Sequence, residues 1–172
     1  MKAHAANAGG QHAAAIEWCR KALRLVPELP EAWYNLGLAH AGLGEAAKAT
    51  EALLRSATLL PEHPDAQNSI GLQLMRLGAH GEAERCLLRC LALAPDFAFA
   101  HSNLGLLRNR QNRLAEAAAS FGKAITLQPR LAAAHANFAA TLNMQRHFTA
   151  GEAACRQAIA IDPKLAEAWS NL

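Results

Sequence analysis

The chain has 172 residues, of which 52% are hydrophobic and only 5% aromatic, and its formal net charge is +3. So small a charge is too weak by itself to argue for nucleic acid or a membrane surface, and neither is predicted as the partner. No apolar run reaches the roughly 18 residues that a membrane span needs. The first residues lack the apolar core of a signal peptide, which predicts a cytoplasmic location.

Prolines recur through the whole chain at a spacing of 34 residues. They are Pro27, Pro61, Pro95, Pro129 and Pro163. A period of this length indicates a small supersecondary unit stacked on copies of itself. Because alanine and leucine supply most of the apolar content, the unit is predicted to be helical.

The predicted elements follow this period in chain order. A partial repeat, residues 1–29, comes first, and the start of a further repeat, residues 166–172, comes last. Between them lie four complete repeats, 30–63, 64–97, 98–131 and 132–165. Each repeat has apolar residues at helical spacing on both sides of a stop signal, which predicts two antiparallel helices. We therefore expect residues 1–172 to form a single all-α solenoid.

A turn residue separates the two helices of each repeat. Gly10, Gly44, Gly78 and Asn112 occupy equivalent positions, where a left-handed residue closes a helix. Arg146 stands at the fifth such position and predicts either a strained turn or a different one.

Small and large residues also recur at fixed positions in the repeat. Gly37, Gly71, Gly105 and Ala139 are equivalent, and large apolar residues fall between such small ones. This alternation predicts that helices approach closely at the small residues.

These features together resemble a known repeat. Trp33, Leu36, Gly37, Gly44, Ala49, Leu53 and Pro61 resemble the signature of the tetratricopeptide repeat. The resemblance implies a right-handed superhelix whose first helices line a concave groove. It also implies binding of a protein or peptide. His101 and His135 replace the usual tryptophan, and we expect them to be structural.

The cysteines and histidines do not predict a metal site. Cys86 and Cys90 are one helical turn apart, but both fall at core positions, as do Cys19 and Cys155. We expect four buried, reduced thiols, because no zinc-type spacing is present. No catalytic constellation or nucleotide fingerprint is visible, so the sequence predicts neither an enzyme nor a cofactor.

Polar residues at equivalent first-helix positions are the candidate site. The asparagine ladder is the set Asn35, Ser69, Asn103, Asn137 and Asn171. An amide offers both a donor and an acceptor to a peptide backbone of any sequence. The alternative is that the ladder only ties neighbouring repeats together, and the two roles are compatible.

Further residues are predicted to face the same groove. Apolar contact is assigned to Tyr34, Leu38, Leu72, Phe99 and Leu106. Arg76 and Arg110 are expected to select acidic side chains, since guanidinium pairs well with carboxylate. Asn109 and Asn143 share another position and complete the set.

The sequence therefore predicts a non-catalytic scaffold that binds an extended peptide. The strings 32–37 and 100–105 resemble repeats of O-GlcNAc transferases, which makes a substrate-recognition array of such an enzyme one alternative. End-to-end stacking of copies through apolar terminal helices is the other. Glu31 and Asp65 stand where arrays that clamp chaperone tails carry basic residues, which argues against such a receptor.

Overall fold

The computed structural model describes residues 2–172, and the described chain consists of helices and their connections, without a strand. The helices of the first half are α1 (Lys2–Ala8), α2 (His12–Leu25), α3 (Pro30–Gly42), α4 (Ala46–Leu59), α5 (Pro64–Arg76) and α6 (His80–Leu93). Those of the second half are α7 (Ala98–Arg110), α8 (Leu114–Leu127), α9 (Ala132–Met144), α10 (Phe148–Ile161) and α11 (Ala166–Ser170). The predicted all-α class is confirmed.

The helices form two compact units. The N-terminal unit, residues 1–93, contains the hairpins α1–α2, α3–α4 and α5–α6, with α2 packed on α3 and α4 on α5. The C-terminal unit, residues 94–172, contains α7–α8 and α9–α10, followed by α11 against α9 and α10. Within each unit, consecutive hairpins stack side by side.

The first helices begin at equivalent positions, 34 residues apart. Pro30 and Pro64 occupy the first turn of α3 and α5, where a missing amide hydrogen costs nothing. Ala98, Ala132 and Ala166 begin α7, α9 and α11. Proline is therefore favourable at this position, but the repeat does not require it.

The predicted left-handed turn is present in all five hairpins. Gly10, Gly44 and Gly78 have φ between 72° and 80°, and Asn112 has φ 59°. Arg146 has φ 64°, so the same turn is present, although a left-handed conformation is sterically unfavourable for arginine. Of the two outcomes expected for Arg146, the strained turn is the one observed.

Close approach within a hairpin occurs at the small residues. A Cβ on Gly37 would lie 2.7 Å from Leu53 Cγ, and a Cβ on Gly71 would lie 2.9 Å from Leu87 Cγ. In the C-terminal unit, a Cβ on Gly105 would lie 2.9 Å from the ring of Phe121. The three large side chains are completely buried. The two helices of a hairpin thus interlock at this position.

The repeat position of Trp33 forms a hydrogen bond that the sequence does not predict. Trp33 Nε1 donates to the Pro27 carbonyl at 2.8 Å, and Trp169 Nε1 donates to that of Pro163 at 2.9 Å. The histidines do the same: His101 Nε2 lies 2.8 Å from the Pro95 oxygen, and His135 Nε2 lies 2.9 Å from the Pro129 oxygen. A carbonyl can only accept, so each Nε2 carries its proton.

The structural role predicted for His101 and His135 is therefore confirmed. Gln67, the remaining member of the set, donates from Nε2 to the carbonyls of Ala57 and Leu60, both at 3.0 Å. Each side chain at this position holds the connection that leads into its own helix.

The four cysteines are free and buried, as expected. Burial raises the pKa of Cys86 and Cys90 to about 11, and it also raises the pKa of Cys19 and Cys155. In both units these thiols act as small apolar side chains in the core.

Candidate functional site

In the N-terminal unit, the first helices α3 and α5 border an open cleft of about 300 Å³. Its lining is mostly apolar and includes Tyr34 together with two members of the asparagine ladder, Asn35 and Ser69. The structure thus brings three of the predicted site residues together. We refer to this feature as the α3–α5 cleft.

Asn35 is held in one orientation at the edge of this cleft. Its Nδ2 donates to the Glu31 carbonyl of the same helix at 2.7 Å. Its Oδ1 is enclosed, and no donor within residues 2–172 reaches it. A buried acceptor without a partner is uncommon, because it loses its hydrogen bond to water and gains none in return.

Tyr34 connects the cleft with the C-terminal end of α5. Burial raises the pKa of the Tyr34 hydroxyl, while a hydrogen bond with Gln73 and the positive charge of Arg76 lower it. Arg76 itself is exposed in the last turn of α5, and Leu38 and Leu72 are half-buried. The predicted arginine is therefore close enough to Tyr34 to influence it.

In the C-terminal unit, the ladder forms internal contacts. Asn171 Nδ2 donates to the Ala136 carbonyl at 3.1 Å, and Asn143 Nδ2 donates to the Asn171 carbonyl at 2.9 Å. These bonds tie α9 to the segment of α11, which is the structural role left open by the sequence. Asn103 and Asn137 are half-buried on α7 and α9.

The other predicted residues of this unit differ in exposure. Phe99 keeps 49% of its surface exposed in the first turn of α7, and Arg110 is exposed in its last turn. Leu106 is half-buried, as is Asn109, whose Oδ1 is enclosed without a donor from the part of the chain that the structure describes.

Two acidic residues and one asparagine were not assigned to the site by sequence reasoning. Glu31 and Asp65 lie in the first turns of α3 and α5 and line the α3–α5 cleft. Asn7 Nδ2 donates to the Asn35 carbonyl at 2.8 Å, which ties α1 to α3. Asn7 lies three 34-residue periods before Asn109 and thus at the same repeat position as Asn109 and Asn143, which was a usable signal.

Two other kinds of feature are absent from the part of the chain that the structure describes. Within residues 2–172, no group of three or more His, Cys, Asp or Glu side chains is placed to hold a metal ion. No helix of that same range is both long and apolar enough to cross a bilayer.

The stacked antiparallel hairpins, each closed by a left-handed turn, define the class of helical repeat proteins. Three models of the tetratricopeptide repeat match the sequence, at residues 3–44, 30–63 and 68–132. Together they span most of the chain, which therefore belongs to the tetratricopeptide repeat family. These models describe the repeat in general, and none of them is specific to the O-GlcNAc transferase group.

Solved structures share the fold at low sequence identity. A crystal structure of MamA is 21% identical, with a TM-score of 0.79 over 96% of both chains. YrrB, described as a TPR protein with an unusual peptide-binding site, is 21% identical, with a TM-score of 0.75 over 98% of this chain and 87% of its own. PilF of Pseudomonas aeruginosa is 20% identical, with a TM-score of 0.80 over 98% and 77%. No curated protein matches the sequence.

Proposed function

We propose that the chain is a non-catalytic protein-interaction module that binds an extended polypeptide segment along its first helices. The observation that carries this proposal is the α3–α5 cleft, which is open, largely apolar and lined by Tyr34, Asn35 and Ser69. Apolar walls provide contact area, and the few polar groups fix the orientation of the bound segment. The peptide-binding site reported for YrrB supports the same use of a similar fold.

The asparagine ladder would recognise the backbone of the bound segment. Asn35, Asn103 and Asn137 lie at equivalent positions on α3, α7 and α9, and all three are half-buried. Arg76 and Arg110 are exposed in the last turns of α5 and α7, where they can pair with acidic side chains. A cytoplasmic location belongs to the same proposal, since four free thiols suit a reducing compartment.

Selection of linear peptides from a phage-displayed random library tests the proposal. Peptides selected on the intact chain should bind in fluorescence anisotropy, and Asn103→Ala with Asn137→Ala should weaken them by about 0.5 to 1.5 kcal/mol for each lost hydrogen bond. Circular dichroism should show unchanged helicity. Gln157→Ala, an exposed change on the second helix α10, serves as the matched control. If affinity stays the same while stability falls, the ladder is only structural.

Association between copies is a second candidate, favoured by the surface of α11. Trp169 is 56% exposed there, and the adjacent Leu172 is 54% exposed. Such apolar surface is typical of a contact site. Light scattering over a concentration series should then show growing assemblies, and a protein that stays monomeric throughout contradicts this candidate.

A further inference from the structure

We propose that the α3–α5 cleft is a subsite for a basic side chain, an arginine or a lysine of the bound polypeptide. The inference rests on the proposed function, and it adds a second selectivity. The sequence predicts only acidic side chains in the partner, as the groups that Arg76 and Arg110 select. The cleft carries the opposite sign of charge.

The dimensions and walls of the cleft suit one long side chain. Its volume of about 300 Å³ lies at the lower end of the range for small-molecule pockets, which is roughly 300 to 1,000 Å³. Pro30, Leu60, Ala66 and Ile70 supply apolar walls. Arginine and lysine bury their methylene stems against such surface while the charged group stays near water.

Two carboxylates provide the charge that such a group requires. Glu31 and Asp65 both line the cleft and are exposed to solvent. Neither forms an ion pair with any residue in the described range 2–172. A cation placed between them would be attracted by both.

Stabilisation of the helix dipole does not by itself require these two acids. An acidic residue in a first turn does favour a helix. However, Phe99 and Ala133 hold the equivalent positions in α7 and α9, which form without any acid in their first turns. The fold therefore does not need a carboxylate at this position, and the two that line the cleft are available for binding.

The ring of Tyr34 also lines the cleft and adds an aromatic face, which attracts cations. Guanidinium and ammonium groups are donors only, so the two carboxylates are their natural acceptors. The Asn35 Oδ1 does not take part, because it is enclosed and has no surface exposed to the cleft.

The test compares peptides selected on the intact chain with peptides selected on Glu31→Gln/Asp65→Asn. Enrichment of arginine or lysine at one position is expected only on the intact chain. For a selected peptide, replacing that residue with norleucine should weaken binding to the intact chain roughly tenfold. The same replacement should have no effect on the double variant. Glu167→Gln, at the equivalent position of α11, is the matched control and should behave like the intact chain.

The outcomes separate this inference from the proposed function. Peptides that bind without basic enrichment, or whose enrichment persists on the double variant, overturn the subsite and leave peptide binding intact. Failure to select any peptide on either protein overturns peptide binding and the subsite with it. Thermal melts of the variants confirm that each remains folded.

Discussion

Equivalent first-helix positions perform different tasks in the two units. In the N-terminal unit, Asn35 and Ser69 border an open cleft, and the side-chain Oδ1 of Asn35 has no donor within residues 2–172. In the C-terminal unit, by contrast, Asn171 Nδ2 donates across to the Ala136 carbonyl of α9. A residue that repeats along the chain therefore does not repeat its function, because its task depends on the groups within reach.

The turns differ between the units as well. All three left-handed positions of the N-terminal unit are glycine, whereas those of the C-terminal unit are Asn112 and Arg146. Glycine adopts positive φ without steric cost, and arginine does not. The C-terminal unit thus stores backbone strain that the N-terminal unit avoids.

The largest expected effect tests whether each unit keeps its own stability. Phe121→Ala removes the side chain that interlocks with Gly105 and should cost about 3 to 5 kcal/mol. Hydrogen exchange followed by mass spectrometry should show lost protection mainly in residues 94–172. Leu87→Ala, at the equivalent position, should lose protection mainly in residues 1–93. If both variants lost protection equally in residues 1–93 and 94–172, the two units would not have separate stabilities.

A smaller effect sharpens the contrast within the ladder. Asn171→Ala removes the bond from Asn171 Nδ2 to the Ala136 carbonyl, so the free energy of unfolding should fall by about 0.5 to 1.5 kcal/mol in urea denaturation. Asn35→Ala loses only a bond within its own helix and removes a buried acceptor without a partner. It should weaken peptide binding more than it lowers stability. The reverse ranking would mean that both units use the ladder alike.

Removing the strain at Arg146 should make the turns of the C-terminal unit more like those of the N-terminal unit. Arg146→Gly relieves a left-handed arginine and should raise the free energy of unfolding by about 0.5 to 1 kcal/mol. Gly44→Ala introduces the same kind of strain into the N-terminal unit and should lower it. Thermal melts measure both changes. A less stable Arg146→Gly variant would show that the arginine side chain makes a compensating contact.

The thiols report the opening of each unit without altering stability. Because the pKa of Cys86 and Cys90 is about 11, only roughly a thousandth of either thiol is ionised at pH 8. Alkylation at pH 8 should therefore be slow in the native protein and rapid in guanidinium. Mass spectrometry distinguishes these sites from Cys155 of the other unit. Rapid native labelling of Cys86 would show that its unit opens more readily than the packing indicates.

Much of the fold follows from the 34-residue period. The starts of α3, α5, α7, α9 and α11, the left-handed turns and the buried cysteines all lie where repeat position alone would put them. These features depend on local backbone preferences and on helical spacing, and both can be read from one sequence.

The site was less accessible to sequence reasoning. That Asn171 bonds to Ala136, while Asn35 borders a cleft, depends on distances between neighbouring helices. The repeat period does not contain those distances. Glu31 and Asp65 were noticed as unsuitable for a chaperone tail, but their joint position at one cleft required three dimensions.

One repeat position, six residues after each of the 34-spaced prolines, shows which substitutions the fold tolerates. Trp33, Gln67, His101, His135 and Trp169 share no common shape. What they share is a nitrogen-bound hydrogen directed at a carbonyl in the preceding connection. Because a carbonyl only accepts, the two histidines serve here through the hydrogen on Nε2, as the tryptophans do through that on Nε1. Evolution can therefore exchange indole, imidazole and amide at this position, but leucine or phenylalanine would leave the carbonyl without its donor.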